Sequence, residues 1–189
     1  MPCVFWVFTK KLCLFLPPTI HISIKIEMQT EQKVTVGTEI LFAVLIALIH
    51  FGWITAEYYL GLNGKFKDWY GNVTNFVAIP VIYMTYKAML AKRDNEGTIS
   101  LERAALSALI LAGITAVLIP LSYWLFRKYI NPTFFDDFAK FATDVQKMDA
   151  LKAIDTYSLR HFAKWGFLHA LLIVGGTGLM TAVVMRKRA

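Results

Sequence analysis

Cysteine is nearly absent. Its two occurrences, Cys3 and Cys13, precede the first long apolar run, so the rest of the chain can build neither a disulfide framework nor a thiolate metal site. Catalytic signatures are missing too. There is no Gly-x-Ser-x-Gly, no His-Glu-x-x-His, no glycine-rich phosphate loop and no Cys-x-x-Cys. The common hydrolase, metalloprotease, nucleotide-binding and dithiol readings fall away, and the expectation is a non-enzyme with no cofactor and no metal. Charge is also scarce, at 17% of residues, and it is crowded into the gaps between apolar segments.

What is present in quantity is hydrophobicity, at 57% of residues with a mean hydropathy of +0.50. It is gathered into four runs, from about Ile40 to Leu60, Val73 to Leu90, Ala104 to Phe126 and Phe162 to Val184. A bilayer core about 30 Å thick takes roughly 20 apolar helical residues to cross. Three runs meet that length and the second is slightly short. Lipid offers no partner for a backbone amide, so spanning segments of this kind are helices. The expected fold is therefore all-α, a four-transmembrane-helix bundle over 36–189 with the lipid bilayer as its first partner. The net charge of +7 is explained by Lys and Arg in loops, and no nucleic-acid partner is expected.

Residues 1–35 read as an extension and polar lead-in. The first 27 carry two short apolar runs split by Lys10-Lys11 and closed by Pro17-Pro18, which fit neither a span nor a secretory signal. Met28 then opens a polar stretch, and translation is expected to begin there. The alternative is an interfacial anchor built on Phe5, Trp6, Phe8 and Phe15. Lys92 and Arg93 in the second loop and the tail Arg186-Lys187-Arg188 fall on one face, which the positive-inside rule assigns to the cytoplasm with both termini. The opposite face holds Lys65, Lys67 and a long third loop of mixed Lys and Asp. Trp53, Tyr58, Tyr59, Trp69, Tyr70, Trp124, Tyr129 and Trp165 form an aromatic belt near the outer ends of the spans.

In the third loop, Asn131-Pro132-Thr133 opens a segment in which Phe134, Phe138, Phe141, Val145 and Met148 recur at three- and four-residue steps. The spacing predicts an amphipathic helix of about four turns, folded over the bundle mouth or lying flat on the leaflet. Ala104, Ala108, Ala112 and Ala116 form a small-residue stripe on the third span, and the fourth offers Gly175, Gly176 and Gly178. Such stripes let backbones approach closely, within one chain or between copies in a homo-oligomer.

Ionisable groups at membrane depth are costly and therefore candidate functional residues. Three are present: His50, Glu57 and His169. His50 is expected about 15 Å from the inner end of its helix, Glu57 about 5 Å from the outer end and His169 about 10 Å below it. The histidines are offset in depth, against the geometry of a bis-imidazole haem. The expected arrangement is a polar cluster between the first and fourth spans, with Glu57 bonded directly or through water to His169.

From about Val36 onward the chain resembles a bacterial family catalogued as a domain of unknown function, number 4199. The likeness rests on the Gly97-Thr98-Ile99-Ser100 turn after the basic loop, the small-residue third span, the exit from Tyr129 to Phe134, the Lys/Asp loop and the basic tail. The resemblance implies a four-span inner-membrane protein and lends no activity. The leading expectation is a non-catalytic accessory, structural or envelope-related role, with a membrane-protein partner or a second copy. The alternative is a small transporter or channel subunit. A cavity reaching His50 discriminates for transport, and a dry bundle for the accessory role.

Overall fold

The computed structural model of the chain describes residues 36–62, 72–93 and 99–185. Residues 1–35, Lys65, Lys67, Trp69, Tyr70, Gly97, Thr98 and the tail Arg186, Lys187 and Arg188 lie outside the described residues. Four helices are long and apolar enough to cross a membrane: Gly37–Tyr59, Asn72–Leu90, Leu101–Tyr129 and Leu159–Met185. The chain is an all-α, multi-pass membrane protein.

The third and fourth spans begin just after serine caps, ahead of their apolar runs. Helix α1 is Gly37–Tyr59. A 3-10 turn, Asn75–Val77, leads into α2, Ala78–Leu90. Helix α3, Leu101–Tyr129, starts at Ser100, whose hydroxyl accepts the Arg103 N–H at 3.4 Å. It carries Glu102 in its first turn and Arg127 and Lys128 in its last, which complements the helix dipole at both ends. Two short helices follow, α4 (Phe134–Asp144) and α5 (Ala150–Thr156). The fourth span, α6, is Leu159–Met185. Ser158 caps it by accepting the His161 N–H at 3.1 Å, and a π turn at Leu171–Gly175 interrupts it.

Helix α3 is the centre of the bundle. It packs along α1 on one side and along the whole of α6 on the other, while α2 packs on α1 and against the π turn and second half of α6. Helices α1 and α6 therefore occupy opposite corners. The α3–α6 approach is close because both faces are small: Ala104, Ala108, Ala112 and Ala116 are all buried. A Cβ on Gly178 would lie 2.7 Å from the Ala108 Cβ, and one on Gly175 would lie 3.5 Å from the Ala112 Cβ. Further along, a Cβ on Gly166 would sit 2.9 Å from Ile119 Cγ2. Leu41, Leu48, Ile79, Leu109, Val117, Leu172, Met180 and Val184 are exposed on the outside of the bundle. An apolar perimeter of that extent suits hydrocarbon rather than water.

Helix α4 folds over the end of the bundle. Its apolar stripe of Phe134, Phe135, Phe138, Ala139 and Ala142 is buried, while Asp136, Asp137 and Lys140 are exposed. Phe134 makes edge-to-face contacts with Phe126 of α3 at 5.2 Å and Phe162 of α6 at 5.9 Å. This helix is shorter than its sequence pattern predicts. It stops at Asp144, Val145 is 58% exposed, and the chain turns at Lys147 with φ 57° before reaching Met148.

A cavity between two buried carboxylates

Glu39, Ala43, Ile46, His50, Ile54 and Glu57 are the buried residues of α1. They recur at three- and four-residue steps, so both carboxylates and the one imidazole of this helix point into the protein.

At one end lies Glu39, which is 1% exposed. Lys92, just past the end of α2, places its Nζ 2.8 Å from Glu39 Oε2. Ser107 of α3 donates its hydroxyl to Oε1 at 2.5 Å. One carboxylate thus ties α1, the α2–α3 loop and α3 together. The Arg93 Nε also meets the Met185 Sδ at 3.4 Å, which brings the end of α6 to the same side. The first and last described residues therefore share the Lys92 end of the bundle.

At the other end, Glu57 is 2% exposed. Its Oε1 accepts from Trp53 Nε1 and from Thr74 Oγ1, each at 2.7 Å. Its Oε2 has no hydrogen-bond partner among the described residues. The expected direct bond to His169 is not formed. Helices α1 and α6 are diagonal rather than adjacent, and the partner comes from the neighbouring second span instead. His169 is exposed, with its ring 5.7 Å from that of Trp165.

Between these ends a cavity of about 120 Å³ opens at the junction of all four spans. Ile46 and His50 of α1, Thr115, Ile119 and Tyr123 of α3, Thr74, Asn75, Val77 and Ala78 around the start of α2, and Gly166, His169 and Val174 of α6 line it. It has room for roughly four water molecules at about 30 Å³ each. His50 and His169 thus face one space from opposite corners, without Glu57 among the lining residues. The His50 ring is held edge-on against Tyr123 at 5.0 Å. Nδ1 of His50 and Oγ1 of Thr115 are buried and have no partner among the described residues. Asn75 and His169 are exposed lining residues, so the cavity is not sealed. On its other side, Ala43, Ile46, Val81, Ala88, Leu111, Ala112 and Val174 pack into an apolar cluster that separates it from Glu39. Among the described residues no three His, Cys, Asp or Glu side chains converge as a metal site requires.

Sequence reasoning missed Glu39, Ser107, Thr74, Thr115 and Tyr123. A signal existed for the first: Glu39, His50 and Glu57 are spaced by 11 and 7 residues, about three and two helical turns, which puts all three on one face. The hydroxyls had none, because Thr and Ser in apolar helices most simply bond their own backbone, as Thr85 does to the Val81 carbonyl at 2.8 Å.

These features define a polytopic helical membrane protein with a partly polar cavity among its four spans. Residues 41–187, most of the chain, match the family described as protein of unknown function DUF4199. The chain belongs to that family. No curated protein and no solved structure matches it.

Proposed function

We propose that this membrane protein admits a small polar solute into the His50 cavity from the Glu57 end, as a small transporter or channel subunit does. The observation that carries the reading is the pair of unpartnered buried atoms, His50 Nδ1 and Thr115 Oγ1, on the wall of one unsealed cavity. A buried polar atom without a partner costs about 1–3 kcal/mol. An occupant that bonds both recovers that cost, and water alone can do so between turnovers. The apolar cluster beyond Ile46 and Val174 restricts entry to one side, the arrangement of a path held closed at its far end. The reading involves no covalent chemistry, cofactor or metal. The accessory or structural role is the second reading, favoured by the tight Ala108–Gly178 crossing. The basic Lys92 end belongs in the cytoplasm of a bacterial inner membrane on the positive-inside rule, with both termini inside.

Thiol labelling tests the access. In a Cys3→Ser/Cys13→Ser background, Thr74→Cys and His50→Cys should react with a small, membrane-impermeant thiol reagent added from the Glu57 side, and Ala43→Cys should not. A reactive Thr74→Cys beside an inert His50→Cys would mean that nothing polar reaches mid-membrane, and the accessory role would stand. A carboxy-terminal reporter active only outside the cytoplasm checks the orientation, which strong activity would reverse.

A further inference from the structure

The carboxy-terminal end of α3 carries a second cavity, independent of the first. Trp124, Arg127, Lys128, Pro132 and Leu159 form a cleft of about 370 Å³. Both cations are held in place by aromatic rings. Lys128 Nζ stands 4.8 Å from the Trp124 ring centre and 5.2 Å from that of Tyr129, and the Arg127 guanidinium lies 5.9 Å from the Phe135 ring. Among the described residues neither cation has a carboxylate partner, and no acidic residue lines the cleft. Complementing the α3 dipole accounts for positive charge in its last turn. It does not account for two adjacent cations, unpaired by acids, on the wall of one cleft.

Val117, Leu121 and Trp124 lead down the helix from Lys128 at steps of four, three and four residues, which is one face of α3. All three are exposed, Val117 by 66%. A ligand seated at Arg127 and Lys128 therefore meets cationic donors at its polar end and an open aliphatic track running into the hydrocarbon. An indole marks the boundary between them, where Trp prefers to sit. We infer that this cleft is a binding site for an anionic phospholipid, with the phosphate on Arg127 and Lys128 and one acyl chain along Leu121 and Val117. Arg and Lys are the side chains that bond phosphate oxygens most strongly. No acidic side chain lines the cleft, and the Trp124 and Tyr129 rings that could hold a choline are already taken by Lys128, so a zwitterionic headgroup gains less.

The test uses the full chain in mild detergent, with bound lipid read by native mass spectrometry and thermal stability read in parallel. Phosphatidylglycerol should bind and stabilise, and phosphatidylcholine at the same mole fraction should do so clearly less. Arg127→Gln/Lys128→Gln should weaken phosphatidylglycerol binding roughly tenfold or more, each interfacial cation being worth about 1 kcal/mol. The same charge removed by Lys140→Gln/Lys152→Gln should leave it within about twofold. Because Arg127 also touches the Phe135 ring, Lys128→Gln alone should show a partial loss and Lys128→Arg should restore binding. Equal losses in the two double variants would reduce the effect to diffuse charge and overturn the site. Stabilisation by inorganic phosphate equal to that by the lipid would make it a free-anion site and overturn the lipid assignment.

Discussion

Two glutamates sit on one face of α1, eighteen residues apart, or about five helical turns. Both are buried, and their surroundings differ in kind. Glu39 has a cation on one oxygen and a hydroxyl on the other. Glu57 has two neutral donors on one oxygen and none on the second. A buried carboxylate with both oxygens engaged holds elements together, and removing a partner strands a charge. One with an unengaged buried oxygen carries a standing desolvation cost and joins fewer elements, here only the first span and Thr74 of the second. The contrast extends along the bundle. The Lys92 end is tied by charge and by close Ala–Gly packing, whereas the Glu57 end is covered by a helix of aromatic side chains and the cavity opens toward it.

The strongest way to break this contrast is to remove the cover. Phe134 is 1% exposed and touches four other phenylalanines. Phe134→Ala should cost about 3–5 kcal/mol, the range for a large buried ring, seen as a lower melting temperature in detergent. An unchanged melting point would show that α4 contributes nothing to the bundle. Glu39→Gln comes next. It leaves Lys92, 16% exposed, without its counter-charge, and should destabilise by about 3 kcal/mol. Combining it with Lys92→Met should recover part of that loss, a coupling that a double-mutant cycle reads directly. Additive effects would mean that the pair does not tie the end together.

Smaller effects sharpen the comparison. Gly178→Ala forces a methyl within 2.7 Å of Ala108 and should cost about 2 kcal/mol by overpacking. Gly175→Ala, with 3.5 Å available, should be close to neutral in the same melting assay. The smallest effect is expected at Glu57→Gln, within about 1 kcal/mol of the parent, since the amide oxygen still accepts from Trp53 and Thr74. A loss at Glu57→Gln as large as that at Glu39→Gln would erase the distinction between the two carboxylates.

The spans were legible because hydropathy reports directly what the hydrocarbon demands. Their ends were less so. Hydropathy marks the apolar stretch, whereas Ser100 and Ser158 mark where the helices begin, three residues before Ala104 and Phe162 in the apolar runs once the caps are passed. Glu39 was overlooked for the same reason, standing one position ahead of the run that starts at Ile40. His50 and His169 could be picked out by type alone, and they do line one space. Which corner each helix occupies could not be read, because a linear pattern gives faces and not neighbours. That is why residue type and depth pair Glu57 with His169, whereas the fold supplies Thr74. The third loop's period predicted a buried stripe, but the left-handed turn at Lys147 has no marker in a residue that ordinarily continues a helix.

The π turn at Leu171–Gly175 fixes the angular setting of one half of the fourth span against the other. A π turn accommodates an additional residue within a helix, and each residue of an α-helix subtends about 100°. Deleting Leu172, which is 71% exposed, would let the ladder close as a regular α-helix. To keep Gly175 and Gly178 seated on α3, the segment from Leu159 to Ala170 would then have to swing by about that angle. Gly166 would leave Ile119, His169 would leave the cavity wall, and Phe162 would leave Phe134. The wall of the cavity and the seat of α4 on the bundle are thus indexed by the length of the fourth span, and a single-residue deletion is a lesion to both.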